Sequence, residues 1–191
     1  LNIGAGRIIY QELTRITKSI EDGEFFKKQE LLQAIENCKK NNSKLHLMGL
    51  LSDGGVHSHN THLYALLQLA KQQGLEEVYI HCFLDGRDTP PQSGKRYLEE
   101  LENKLSEIGI GKIATISGRY YAMDRDKRWD RVEKAYNIMT SGIGEKASSS
   151  KECIEKSYSE NIYDEFVVPT AIVDDSGSTI NIDDEDSIIF F

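Results

Sequence analysis

Leu45-His46-Leu47-Met48-Gly49-Leu50-Leu51 runs directly into Ser52-Asp53-Gly54-Gly55-Val56-His57-Ser58-His59, and then into a segment carrying Leu63, Leu66, Leu67 and Ala70. The first seven residues read as a short apolar strand. The following apolar residues recur at i, i+3, i+4 and i+7, the spacing of one helix face, and Gly74 stands where a helix C-terminus accepts a left-handed residue. The same order recurs twice. Val78 to Leu84 leads into Asp85-Gly86-Arg87-Asp88-Thr89-Pro90-Pro91 and a helix with Leu98, Leu101, Leu105 and Ile108; Thr89-Pro90-Pro91 reads as the helix start. Ile113 to Ile116 leads into Ser117-Gly118-Arg119-Tyr120 and a helix through Trp129, Val132, Ala135, Tyr136 and Met139. Strands that alternate with helices pair in parallel through right-handed crossovers. The expected fold is α/β, three αβα layers around a mostly parallel sheet that contains 45–51, 78–84 and 113–116.

Working outward, residues 8–20 (Ile8, Ile9, Leu13, Ile16, Ile20) and 26–41 (Phe26, Leu31, Ala34, Ile35, Cys38) have helical spacing, and 148–160 offers one more helix. Beyond it lies an acidic, turn-rich stretch with Asp174-Asp175-Ser176-Gly177 and Asp183-Asp184-Glu185-Asp186, expected to form short strands joined by solvated turns. The run 183–186 lacks the central glycine and terminal glutamate of a calcium loop. We divide the chain into a helical lead-in (1–43), an α/β core (44–145) and a helix with short strands (146–191). The opening Leu1-Asn2-Ile3-Gly4-Ala5-Gly6-Arg7 has no initiator methionine and the chain closes on Ile188-Ile189-Phe190-Phe191, so a fragment of a longer polypeptide is expected.

The 191 residues are enough for one domain with a real core. A net charge of −8 argues against a nucleic-acid or anionic-membrane surface, both of which need a basic stripe. No apolar run reaches the length of a membrane span. Cys38, Cys82 and Cys153 are scattered and odd in number, the pattern of reduced thiols in a cytoplasmic protein.

Against this acidic background the arginines stand out. Asp53, Asp85 and Ser117 recur at 32-residue steps, each followed by glycine. In parallel sheets the loops after the strands share one edge, where ligands bind. His57, His59, Arg87, Asp88, Arg119, Arg125 and Arg128 therefore converge there. Guanidinium forks match carboxylate or phosphate, and glycines let backbone amides approach the same anion. The reading is a site for a small, multiply charged anion, with Asp88 as a general base aimed at a hydroxyl. Asp53 and Asp85 are expected to close the turns after their strands, and His46 and His81 to be ordinary core or edge histidines. Two other classes stay open. One is a metal-dependent hydrolase using Asp53, His57 and His59, with His62 as a further ligand; the other is a non-catalytic anion-binding module.

Four ordered blocks carry a resemblance: Leu1 to Arg7, Asp53 to His59, Asp85 to Pro91, and Ser117-Gly118-Arg119-Tyr120-Tyr121-Ala122-Met123-Asp124-Arg125-Asp126. Together they closely resemble the cofactor-independent (2,3-bisphosphoglycerate-independent) phosphoglycerate mutases. The resemblance implies a cytoplasmic, monomeric two-domain isomerase of glycolysis, of the alkaline-phosphatase superfamily, interconverting 3-phosphoglycerate and 2-phosphoglycerate through a phosphoserine. It implies a phosphatase domain with two Mn²⁺ ions and the serine nucleophile, and an inserted transferase domain that holds the glycerate. By motif, His57, Arg87, Asp88, Arg119 and Arg125 are the implied substrate-binding set, and Asp88 the implied catalytic base. No family metal ligand maps onto this chain, and neither the family's serine segment nor its next arginine motif is present. The chain is thus expected to be most of the transferase domain, inactive alone and dependent on the phosphatase domain of the same polypeptide.

Overall fold

The computed structural model describes residues 11–191. Two helices lead in: α1 (Glu12–Glu21) and, after a 3₁₀ turn at Glu24–Lys27, α2 (Gln29–Asn41). The first of them was expected over 8–20; Ile8, Ile9 and the glycine-rich opening lie outside the described residues. The second starts three residues later than the spacing suggests, because Phe26 belongs to the 3₁₀ turn. Then come β1 (Leu45–Leu50), α3 (Asn60–Gln72), β2 (Val78–Leu84), α4 (Gly94–Ile108) and β3 (Lys112–Gly118). A single-turn helix α5 (Arg119–Ala122) precedes α6 (Trp129–Ser141), β4 (Glu145–Ala147), α7 (Ser150–Ser159), a 3₁₀ turn at Asp164–Phe166, β5 (Thr170–Ile172) and β6 (Ser187–Phe190).

The strands form one sheet in the order β4-β5-β3-β2-β1-β6. All pairings are parallel except β3 with β5. This is the expected α/β sheet flanked by helices, with β5 running against its neighbour. Leu45, Leu47, Val78, Ile80, Cys82 and Leu84 join one core with Leu63, Leu67, Leu98 and Leu101 of the covering helices. Ile113 and Ile116 both belong to it, although three residues of plain strand would put them on opposite faces. A shift in the β2–β3 register between Ile80 and His81 resolves this: Ile113 pairs with Ile80 and Ile116 with Cys82, so one extra residue returns both isoleucines to the same side. The alternate residues His46, His81, Phe83, Thr115 and Ser117 line the other face and are also buried.

Several expectations change. Pro90 and Pro91 do not start α4; they lie in a turn, and the helix begins at Gly94, whose N–H donates to the buried carboxylate of Asp164 (2.7 Å). Gly109, in the left-handed region at φ 76°, closes α4 through its N–H to Leu105 O. Trp129 and Tyr136 are exposed, and Ala135 and Ile138 are the buried residues of α6. Spacing alone cannot separate the two stripes of a helix that packs on one narrow side. Asp186 is no solvated turn residue, since its side chain is 2 % exposed and receives the Lys44 N–H (2.7 Å), the Lys44 ammonium (3.1 Å) and His46 Nε2 (3.1 Å). That carboxylate ties the start of β6 to β1.

Ser117-Gly118 is strand rather than loop, and Gly118 is there for closeness. A Cβ at this position would lie 2.2 Å from Glu165 O and 2.7 Å from Val167 N. The Gly118 N–H also donates to Val167 O at 2.7 Å. Gly118→Ala is expected to destabilise the fold by at least about 2 kcal/mol, the overpacking range, in urea unfolding monitored by circular dichroism. An unchanged midpoint would show that the 164–167 segment yields freely.

Candidate functional site

The carboxyl ends of β1, β2 and β3 bring two loops and the start of a helix together. After β1, Asn60 N donates to Ser52 O (3.0 Å), closing the 52–60 loop on itself. After β2, the Asp85 carboxylate turns the chain: its Oδ1 accepts the N–H groups of Arg87 (3.1 Å) and Asp88 (3.0 Å), and its Oδ2 accepts the Ser52 hydroxyl (2.8 Å). After β3 there is no loop at all, and Arg119 opens α5 directly.

Arg119 is the centre. Its Nη1 donates to Asp85 Oδ1 and to Asp88 Oδ2, both at 2.7 Å, and its Nη2 meets His57 Nε2 at 3.0 Å. A guanidinium only donates. His57 Nε2 is therefore the acceptor, and the tautomer that fits carries its proton on Nδ1. Burial opposes the charge of Arg119, but hydrogen bonds to Asp88 and Asp85 outweigh it and raise its pKa. Burial likewise works against the Asp85 carboxylate, yet the Asp88 amide, the Ser52 hydroxyl and Arg119 hold it below the ordinary carboxylate range. Asp85 is 1 % exposed and the Asp88 side chain 22 %, so the first faces the protein and the second faces out.

Beside this cluster lies a cleft of ≈ 230 Å³ with Arg87, Arg119, Arg125 and Tyr120 on its walls. Arg87 reaches across to Glu165 (3.2 Å). The loop carrying Arg125 is organised by Asp124, which accepts the N–H groups of Asp126 (3.1 Å) and Arg128 (2.9 Å) and the Arg131 guanidinium (3.2 Å). Arg131 in turn lies 3.8 Å above the Tyr120 ring. Arg125 itself makes no ion pair among the described residues and is exposed.

The structure thus places Arg87, Arg119 and Arg125 on the wall of one cleft, with Asp88 and His57 joined to it through Arg119. It does not gather the hydrolase set. His59 caps α3 by accepting the Thr61 N–H (3.3 Å), His62 is buried and bonds Thr17 Oγ1 (2.9 Å), and Asp53 is engaged by the Tyr97 hydroxyl and by Arg96 (3.4 Å). Asp53 therefore closes no turn of its own; its loop is fastened to α4 instead. Among the described residues no group of three His, Cys, Asp or Glu side chains is arranged to hold a metal ion. Arg128 pairs with Asp130 (3.5 Å) at the start of α6, away from the cleft wall. Ser52, Asp124 and Glu165 were not singled out beforehand. Asp124 sat in a quoted block, but Glu165 is 78 residues from Arg87 and no local signal links the two.

Residues 16–191 match a family model described as "BPG-independent PGAM N-terminus (iPGM_N)". The chain belongs to this family. It is 64 % identical to a 2,3-bisphosphoglycerate-independent phosphoglycerate mutase of Acetivibrio thermocellus over 100 % of the chain and 37 % of that relative. A Clostridium perfringens enzyme of the same name is also 64 % identical, with the same coverage. The fold resembles a crystal structure of Leishmania mexicana phosphoglycerate mutase at low cobalt concentration, with a TM-score of 0.89 and 31 % identity over 96 % of this chain and 35 % of that one. The chain therefore spans a little over a third of the length of the mutases it matches, corresponding to their N-terminal family region. No helix among the described residues is long and apolar enough to cross a membrane.

Proposed function

We propose that this iPGM_N chain is the glycerate-holding part of a mutase that interconverts 3-phosphoglycerate and 2-phosphoglycerate through a phosphoserine. The observation that carries the reading is Arg119 held between Asp85, Asp88 and His57 at a cleft whose walls carry Arg87 and Arg125. Phosphoglycerate is an anion at both ends. Arg87 and Arg125, exposed on the walls, suit its carboxylate, because bidentate guanidinium contacts fix orientation as well as charge. Asp88, partly exposed and paired with the cleft residue Arg119, suits the hydroxyl: as that oxygen attacks the phosphoserine phosphorus, the Asp88 carboxylate takes its proton, and the P–O bond to serine breaks. In the reverse sense the protonated Asp88 returns the proton to the departing hydroxyl.

The serine, and the two Mn²⁺ ions that the resemblance implies, are assigned to the part of the relatives' length outside this chain. Among the described residues of this site no group of side chains fits a metal. The three described cysteines are free and buried, which supports a reducing, cytoplasmic setting.

The test is a titration of the isotope-labelled chain with 3-phosphoglycerate, read by amide and arginine side-chain NMR. Shifts are expected at 52–59, 85–91 and 119–128, with millimolar affinity, since the phosphoryl end lacks its partner contacts. Shifts elsewhere would overturn the site. Micromolar affinity with no mutase activity in the full-length enzyme would favour the non-catalytic anion-binding module.

A further inference from the structure

We propose that Asp85 is a positioning residue that sets the basicity of Asp88 through the guanidinium they share; this rests on Asp88 being the base. A single nitrogen, Arg119 Nη1, lies 2.7 Å from both carboxylates. Nη1 carries two hydrogens, so each carboxylate takes one. The two acids are not equivalent. Asp85 is buried and immobilised by Ser52 and by the amides of Arg87 and Asp88, and it cannot reach the cleft. Asp88 has one oxygen on Arg119 and a partly open carboxyl.

The consequence is electrostatic. A carboxylate facing an unshared guanidinium becomes a poor base, because the neighbouring positive charge favours its ionised form. Here Asp85 brings a compensating negative charge to the same nitrogen, so Asp88 faces a nearly neutral pair. The other charged groups do not substitute for it. His57 Nε2 lies 3.7 Å from Asp88 Oδ2 but accepts from Arg119, and the adjacent Arg87 is engaged with Glu165. Arg96, near the 52–60 loop, is occupied by Asp53 and Glu100. The side-chain carboxylate of Asp85 thus has two roles: its oxygens build the turn, and its charge keeps Asp88 able to take a proton.

Asparagine separates the two roles, since its carbonyl accepts the same amides but carries no charge. In Asp85→Asn the titration midpoint of the Asp88 carboxyl, followed by ¹³C NMR in this chain, is expected to fall by about one pH unit. In the full-length mutase the acid limb of kcat should move down with it, and plateau kcat should drop by up to about tenfold, as Brønsted behaviour allows. KM should not rise, because the site has gained net positive charge toward an anion. An unmoved Asp88 midpoint overturns the proposal, as would kcat and KM both worsening with no shift of the limb. So would loss of the fold in Asp85→Asn, which would make the charge a structural ion-pair partner. A midpoint that moves while the kinetic limb stays put, or an active Asp88→Asn enzyme, instead refutes Asp88 as the base and leaves the electrostatic coupling standing.

Discussion

Arg119→Ala is expected to be the most damaging single change in this molecule, costing about 3–5 kcal/mol of stability and essentially all mutase activity in the full-length enzyme. The stability figure is that for breaking a buried ion pair from one side. Arg119 and Asp85 have side chains only 9 % and 1 % exposed, so the alanine variant strands a buried carboxylate. It also frees Asp88 and His57, which no longer share a common donor. Stability and activity separate in a second variant. Replacing both partners, Arg119→Leu with Asp85→Asn, removes the uncompensated charge and is expected to recover most of the lost stability. Activity should not return, because the guanidinium that holds Asp88 and the cleft wall is still missing. Denaturant melts and coupled-enolase assays on the single and double variants read the two effects. Equal stability of single and double variants would show that the Arg119–Asp85 pair carries no coupling.

Acid should begin to destabilise this domain below about pH 6.5, before most carboxylates titrate. Behind the sheet, Thr115 Oγ1 contacts His81 Nδ1 (2.8 Å), His81 Nε2 contacts His46 Nδ1 (2.9 Å), and His46 Nε2 contacts Asp186 Oδ2 (3.1 Å). One direction of donation satisfies every atom: hydroxyl to His81, His81 to His46, His46 to the carboxylate. With both rings neutral, this order leaves no ring nitrogen without a partner. Both rings are 0 % exposed. Burial, reinforced by His46, pushes His81 down from 6.5 to about 3, and burial also lowers His46 despite Asp186. An unfolded histidine binds its proton near 6.5 while the folded one resists until much lower pH. Stability is therefore complete above the unfolded value and is lost as pH falls from 6.5 toward 3. For His81 alone the loss between pH 7 and pH 5 is about 2 kcal/mol. His46 adds to it; Asp164, whose carboxyl burial raises, works in the opposite sense and moderates the slope. Urea midpoints at the two pH values measure the loss, and His81→Asn should flatten the profile. A flat profile in the unsubstituted chain would mean that His81 is charged in the fold or solvated through an opening.

The strand–loop–helix repeat was legible because period and punctuation are local. Leu63, Leu66, Leu67 and Ala70 lie on one face of α3 whatever surrounds them, and all are buried. The arginines were legible for the same reason, as residues placed directly after apolar strands whose carboxyl ends must share an edge. What failed locally failed where a distant segment took over. Pro90-Pro91 looked like a helix start, but Asp164, 70 residues away, fixes the first turn of α4. The run 183–186 looked solvated, but Asp186 is drawn under the sheet by Lys44 and His46. His46 and His81 looked like ordinary strand residues, and only the β1–β2 register stacks them into a chain of hydrogen bonds.

The amino-acid sequence by itself thus determined the alternation of elements, the α/β class and the edge at which charged loops collect, since these follow from side-chain periodicity and chain connectivity. The tertiary structure alone decided which charges neutralise one another. The same aspartates could each have faced solvent, capped a helix or gripped Arg119. Only the packing of the loops after β1 and β2 against the start of α5 placed Asp85 against Arg119 and left Asp88 partly exposed, because ion pairing acts through distance and burial, and neither is written in the order of the residues.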